Sequence, residues 1–467
     1  MTSMSGRELR PNALPGPVQV GRAPGPHGAE GAAMFMLAQR LFPLHRSMTG
    51  EGVRQTLREL QRLIPVQQRD FPTGSRAFDW VVPEEWSIAS AFIKDANGNR
   101  IVDYADSNLH VVNGSQPVSC KLKWGELKAH VHTSPIRPKA IPYRTDFFGN
   151  DWGFCIPHEL FERLDKDADA EFEAVIDSRR FPGNLSIGEL LIPGQTDDEL
   201  LVYAHCCHPS LANDNLSGIA VATFLARRLL IQPLRHSVRI VFAPATLGAI
   251  CWLANSVADV ANPDRLKSGQ RIVAGLVLTL LGTETPFLYK RSRRGKASID
   301  RVADSFRRHG LIDEVADFCP FGYDERQFCS PGLNLPVARL SRAMPNGYRE
   351  YHTSLDNLDL ISSSALQQSL DLTFDLLSAI DRNDLLVNQK PYGEPRLGEL
   401  YRQYSAADDR GRLQEAVMWL LNFADGSRDL AAIAERSSLP LSLLQRAAAL
   451  LCERNILSPQ PFKNPHE

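Results

Sequence analysis

Apolar residues recur along this chain with two periods, and each change of period marks a change of architecture. Residues 33–63 carry two helical patterns; the second is introduced by Ser47-Met48-Thr49-Gly50-Glu51-Gly52 and runs through Val53, Leu57, Leu60 and Leu63. Over residues 69–164 the pattern breaks into short strand-like pieces separated by turn signals such as Asp95-Ala96-Asn97-Gly98-Asn99. This stretch, with Phe78, Trp80, Trp86, Tyr104 and Trp124, predicts a separate β-rich module. From about residue 187 strands and helices alternate: strands near 189–193, 200–204, 238–243, 273–281 and 336–340, with helices after Ser217 and near 247–257, 296–309 and 362–380. Alternation of this kind predicts an α/β core with a mostly parallel sheet and helices on both faces. After a Pro- and Gly-bearing connection at 383–395, helical segments at 413–423, 430–437 and 441–454 have the size and spacing of a winged-helix or helix-turn-helix module. The Pro-, Gly- and Ala-rich residues 1–32 predict a disordered tail. The expected division is therefore 33–68 with 165–388 as the core, 69–164 as the β-rich insert and 393–460 as the winged-helix-like domain.

Composition narrows the classes. A chain of 467 residues, 43% hydrophobic and 23% charged, can bury large cores without covalent staples. A net charge of −2 gives no overall attraction to nucleic acid or anionic lipid, and the longest apolar run, 273–281, is too short to span a bilayer. Eight scattered cysteines with no paired CxxC framework, and no apolar leader, point to a cytoplasmic protein with reduced thiols. Between Gly393 and Gln460 acidic residues slightly outnumber arginines and lysine is absent, so protein contact, including a homo-oligomer built through this module, is expected ahead of DNA binding.

The chemistry concentrates in His205-Cys206-Cys207-His208-Pro209-Ser210-Leu211-Ala212-Asn213-Asp214-Asn215-Leu216-Ser217-Gly218, which lies between a short apolar strand and a helix with an apolar stripe. Ligands beyond the carboxyl end of a strand occupy the usual active-site position of an α/β sheet. His205, His208 and Asp214 are metal-ligand types, with Cys206 and Cys207 as softer donors, and His352 in the polar segment Glu350-Tyr351-His352-Thr353 adds an imidazole. Taken singly, either loop histidine could be a hydrogen-bonded structural residue and Asp214 a helix cap. The basic run from Lys290 to Lys296 could clamp a carboxylate or phosphate, or be a solvated loop.

The segment ending Asp214-Asn215-Leu216-Ser217-Gly218 resembles the zinc aminopeptidase and glutamate carboxypeptidase family. The whole layout is closer to a bacterial group of aminopeptidase-like proteins with an inserted β-rich domain and a C-terminal winged helix. Arg46-Ser47-Met48-Thr49-Gly50, Phe78-Asp79-Trp80, Asp151-Trp152-Gly153-Phe154-Cys155, the Lys290 to Gly295 run, Asp324-Glu325-Arg326-Gln327-Phe328-Cys329-Ser330-Pro331-Gly332 and Tyr351-His352-Thr353-Ser354 extend the match. The resemblance implies a zinc-peptidase core of phosphorylase/hydrolase-like fold. It makes Asp214 the carboxylate shared between metals, with His205 on one ion and His352 on the other; His208 is an extra imidazole that competes with His205. Two departures accompany it. The strand ending at Ala243 is followed by Pro244-Ala245-Thr246-Leu247-Gly248, where ordinary members carry two glutamates, one the general base and one a ligand. Gly282-Thr283-Glu284 stands where a further ligand Asp is expected.

With those carboxylates missing, one zinc ion is expected rather than two, held by His205 or His208 with Asp214 and His352. Asp324 and Glu325 are the candidate catalytic carboxylates, Glu325 foremost as base or ligand, with an ion pair as its alternative and Glu284 as the reserve. The expected function is a zinc-dependent aminopeptidase-like hydrolase that cleaves a peptide or amide bond of a small substrate, such as a tailoring deacylase in polysaccharide or secondary-metabolite biosynthesis. The competing expectation is a catalytically impaired metal-binding scaffold that acts as a protein-interaction module.

Overall fold

The computed structural model describes residues 29–259, 262–344, 348–397 and 407–460. Its main sheet contains β1 (Gln67–Pro72), β2 (Asn184–Ile192), β3 (Thr196–His205), β4 (His236–Ala243), β5 (Arg271–Leu278), β6 (Phe287–Lys290), β7 (Glu314–Ala316) and β8 (Val337–Arg342), in the spatial order β1-β2-β4-β3-β5-β8-β6-β7. The four central strands run parallel, whereas β1/β2, β2/β4 and β6/β8 pair antiparallel, so the sheet is parallel at its centre and mixed overall. The parallel strands are the continuously apolar ones, as burial on both faces requires. Along β3, Leu200, Val202 and Ala204 enter one core and Leu201 and Tyr203 the other, all fully buried. At about 1.5–3 kcal/mol for each large side chain, this strand is a major stabilising element.

One face is covered by α1 (Ala29–Leu41), α2 (Glu51–Gln61), α3 (Gly218–Ile231), α5 (Ser298–Arg308) and α6 (Ser363–Asp381), and the other by α4 (Leu247–Ser256). Most of the tail expected over 1–32 lies outside the described residues. Residues 29–32 are helical instead, because Glu30 pairs with Arg228 and the backbone of Gly31 seats against Gln367. The basic tail of α3 thus serves to dock α1.

A second sheet has the order Arg100–Asp103, Glu85–Lys94, Glu171–Phe181, Val118–Lys123. It corrects the insert's expected bounds of 69–164 at both ends. β1 belongs to the main sheet, and Glu171–Phe181, whose burial alternates with period two, is central to the insert's sheet. The C-terminal module likewise starts before 393: Leu385–Asn388 is the middle strand between Asp425–Asp429 and Leu457–Gln460, and helices Ala407–Phe423, Leu430–Ser437 and Leu441–Glu453 complete it. A strand of four residues is too short for hydrophobic period to register. The module is pinned to the core by Arg301 on Asp429, the Ala431 backbone N–H donating to Asn383 Oδ1 at 2.7 Å, and Gln445 donating to the Ala379 carbonyl at 2.8 Å. No helix of the described residues is long and apolar enough to cross a membrane.

Candidate metal centre

His205 terminates β3, and the polypeptide then loops through His208 and the turn Ala212–Ser217 into α3. Neighbouring parallel strands end at the same level, so residues distant in sequence meet there. Asp214 lies at the middle, fully buried. Its Oδ1 is 2.8 Å from His205 Nε2 and 3.9 Å from His208 Nδ1, and its Oδ2 is 3.5 Å from His352 Nε2. All four residues proposed as ligands from sequence are brought together. His208 Nδ1, Asp214 Oδ2 and His352 Nε2 are buried atoms with no hydrogen-bond partner among the described residues. Leaving such groups unpaired costs about 1–3 kcal/mol each, more when charged, so three of them in one place fit a cation.

Electrostatics agree. Burial alone would raise the Asp214 carboxyl, but His208, His205 and His352 outweigh it and hold the group well below the usual carboxylate range. Burial, aided by the neighbouring histidines, drives His208 well below ordinary histidine values despite the pull of Asp214. It is therefore a neutral ring with a free lone pair, the form that binds metal. Cys206 and Cys207 do not offer thiolates: burial pushes Cys206 up to about 12 and Cys207 well above its normal value, and Cys207 faces the Ala245 carbonyl at 3.7 Å.

The support was less legible in the sequence. Asp356 accepts hydrogen bonds from the backbone N–H groups of Asn213 at 2.6 Å and Asp214 at 2.9 Å, and from the Tyr348 hydroxyl at 2.6 Å. It ties the His352 loop to the Asp214 turn; its place four residues after His352 is the only local signal for that role. His352 has a backbone φ of 50°, and its carbonyl accepts from Tyr143 N at 2.7 Å. Residues 140–144, from within the expected insert, thereby brace the His352 loop through Tyr143, the Pro142–Thr353 bridge and Ile141–Ser354 bonds. Buried Arg46 bonds the His208 carbonyl at 2.9 Å. Tyr323 stacks on His205 and Tyr351 on His352, with ring centroids 5.2 and 3.8 Å apart.

The two candidate carboxylates part company. Glu325 is buried and engaged by Lys290 Nζ at 2.8 Å, with Arg339 3.8 Å away, so the cationic partner is Lys290 rather than Arg326. Gly322 permits this packing: a Cβ there would stand 2.3 Å from Glu325 Oε1 and 2.9 Å from Lys290 Nζ. Asp324 instead lies close enough to His205, Cys206 and Cys207 to feel them electrostatically, and its buried Oδ2 lacks a hydrogen-bond partner among the described residues. Burial raises its carboxyl to about 6, with His205 and the Tyr203 hydroxyl restraining the rise. In metal-free protein Asp324 is expected to ionise as pH rises through about 6, and zinc should shift that midpoint downward because a nearby cation favours the charged form. Carboxyl-resolved NMR checks this; a midpoint near 4 without metal would remove Asp324 from a buried setting.

Glu284 turns away to accept from Ser362 at 2.8 Å, and the half-buried Ala245 and Thr246 bring no carboxylate after β4. The basic run is absorbed by structure: Arg291 binds Asp304 and Asp317, and Arg293 and Arg294 bind Asn334.

Residues 35–383 match the family described as a domain of unknown function, DUF4910, and residues 384–459 match a winged helix-turn-helix family. A protein of Clostridium acetobutylicum, provisionally assigned to polysaccharide biosynthesis and carrying an aminopeptidase-like domain, is 38% identical over 430 residues, covering 91% of this chain and 96% of its own. A crystal structure of a provisionally assigned peptidase from that organism has a TM-score of 0.83 at 35% identity, covering 93% of this chain and 97% of that one. The zinc aminopeptidase of Bacillus subtilis shares the fold at a TM-score of 0.52 and 16% identity, over 74% of this chain and 93% of its own.

Proposed function

The chain belongs to the DUF4910 family of aminopeptidase-like proteins with a C-terminal winged helix, and from that premise we propose a zinc-dependent hydrolase that cleaves a peptide or amide bond of a small substrate. The observation that carries this reading is the convergence of three buried, unpartnered ligand atoms, on His208, Asp214 and His352, beside His205. Two imidazoles and a carboxylate suit zinc, and a single ion matches the loss of the other carboxylates. Zinc there supplies Lewis acidity toward an amide carbonyl and toward water.

Asp324 is the proton carrier in this reading. A carboxyl raised to about 6 can accept a proton from attacking water and return one to a leaving amine near neutral pH. Glu325, neutralised by Lys290, fixes the segment that presents Asp324. The Clostridium relative's assignment to polysaccharide biosynthesis supports a deacylase acting on a sugar-linked amide as the form this hydrolysis takes. The winged helix is assigned to protein contact, since the helix Leu441–Glu453 spends Gln445 on the core.

A panel of aminoacyl and N-acyl amides with added zinc tests the proposal. Asp324→Asn should lower kcat/KM by about 10²–10⁴ while zinc content is kept. A second reading, a metal-binding scaffold without turnover, is favoured by Ala245 and Thr246 standing where ordinary aminopeptidases carry glutamates. It gains if no substrate in the panel is turned over above the Asp214→Ala background.

A further inference from the structure

We infer that, within the metal centre proposed above, the ion is held by His208 Nδ1, Asp214 and His352 Nε2, and that His205 is a positioning residue whose Nε2–H holds Asp214. The assignment rests on the metal-centre reading and departs from the arrangement in which the strand-end histidine is a ligand.

Hydrogens are inferred from the network of donors and acceptors, and here that network favours one tautomer of His205, although the Asn215 amide nitrogen also reaches the His205 carbonyl at 3.4 Å. The Gly218 backbone N–H can only donate, so the Asn215 oxygen faces it, at 3.2 Å. The Leu278 carbonyl can only accept, so the Asn215 amide nitrogen faces that group, at 3.0 Å. The same nitrogen stands 3.2 Å from His205 Nδ1. Two N–H groups cannot point at one another, so His205 Nδ1 carries a lone pair. The proton of the neutral ring is then on Nε2, 2.8 Å from Asp214 Oδ1. Binding a cation through Nε2 would move that proton to Nδ1, against the Asn215 donor.

Distances give an independent reason. Zinc bonds of about 2.0–2.2 Å in a tetrahedron place neighbouring ligand atoms about 3.3 Å apart or slightly more. The 3.5 Å between His352 Nε2 and Asp214 Oδ2 meets that spacing; His208 Nδ1 lies 3.9 Å from the other oxygen, Oδ1, and a side-chain rotation is needed to bring it onto the ion at Oδ2. The 2.8 Å between His205 Nε2 and Asp214 Oδ1 has the length of a charge-assisted N–H···O bond and is too short for that pair of atoms to share one tetrahedral ion. His205 Nε2 is also satisfied, whereas His208 Nδ1, Asp214 Oδ2 and His352 Nε2 are not. Three protein ligands leave a fourth position for water or substrate, as a catalytic zinc site requires.

The test is zinc titration of chelator-stripped full-length protein, followed by calorimetry, with His208→Asn and His205→Gln, the latter keeping a side-chain N–H donor. Circular dichroism and melting report whether each variant folds. His208→Asn is expected to weaken zinc binding by more than about 100-fold, and His205→Gln by about tenfold, the scale of an outer-shell loss. The reverse ranking, with zinc still bound by the unaltered protein, overturns the ligand assignment and leaves the metal centre standing. Absence of zinc binding by the unaltered protein overturns both. ¹⁵N NMR of the metal-free, unaltered protein needs no variant: the Nε2–H tautomer of His205 is expected, and Nδ1–H overturns the assignment.

Discussion

Asp214→Asn is expected to strip the protein of stoichiometric zinc, with affinity falling by more than about 100-fold, beyond the loss typical of outer-shell changes. The substitution is nearly isosteric, so packing should survive and the effect isolates charge. Asp214 is fully buried, with His205, His208 and His352 arranged around it. The surrounding histidines hold its carboxyl well below the usual carboxylate range, so the anion is the favoured form. With that charge removed, no carboxylate is within ion-pair distance of the three histidines among the described residues. Elemental analysis after dialysis reads the result directly. A variant that keeps one tightly held zinc would show that the metal is bound elsewhere, and the hydrolase proposal would lose its support.

Lys290→Met should destabilise the fold by about 3–5 kcal/mol, the cost of leaving Glu325 as an unpaired charge in the interior. Both partners of this pair are essentially excluded from solvent, and Lys290 also donates to the Phe321 carbonyl at 2.6 Å. Arg339, 3.8 Å from the same carboxylate oxygen, should keep the loss toward the lower end. Adding Glu325→Leu should recover most of the stability, because an apolar pair of similar volume removes both desolvation costs. Denaturant unfolding at neutral pH measures both effects. The same experiment separates structure from catalysis: a Lys290→Met protein with unchanged stability and lost turnover would return Glu325 to the role of base.

That contrast between Asp324 and Glu325 shows where sequence reasoning stops. The polar segment was recognisable as a source of carboxylate, but its two acids are consecutive at the start of the short helix Glu325–Phe328. Successive side chains on a helix diverge by about 100°. One therefore reaches toward His205 and the other toward Lys290, and nothing local says which. The β-rich insert had a similar limit: its turns and aromatics were visible, yet Glu171–Phe181 joins its sheet from beyond the expected boundary, through partners about fifty residues or more away in the chain.

Linear order was enough for the strand-loop-helix that carries His205, His208 and Asp214, for the alternating core and for the terminal helices, because these depend on short-range periodicity. Folding had to choose the rest: His352 joining the loop through Asp356, Tyr143 bracing it from another module, Glu325 turning to Lys290, and Asn215 fixing the proton of His205. Each choice is made by hydrogen bonds or charges between segments remote in the chain, whose directions become defined only when the sheet brings its strand ends together.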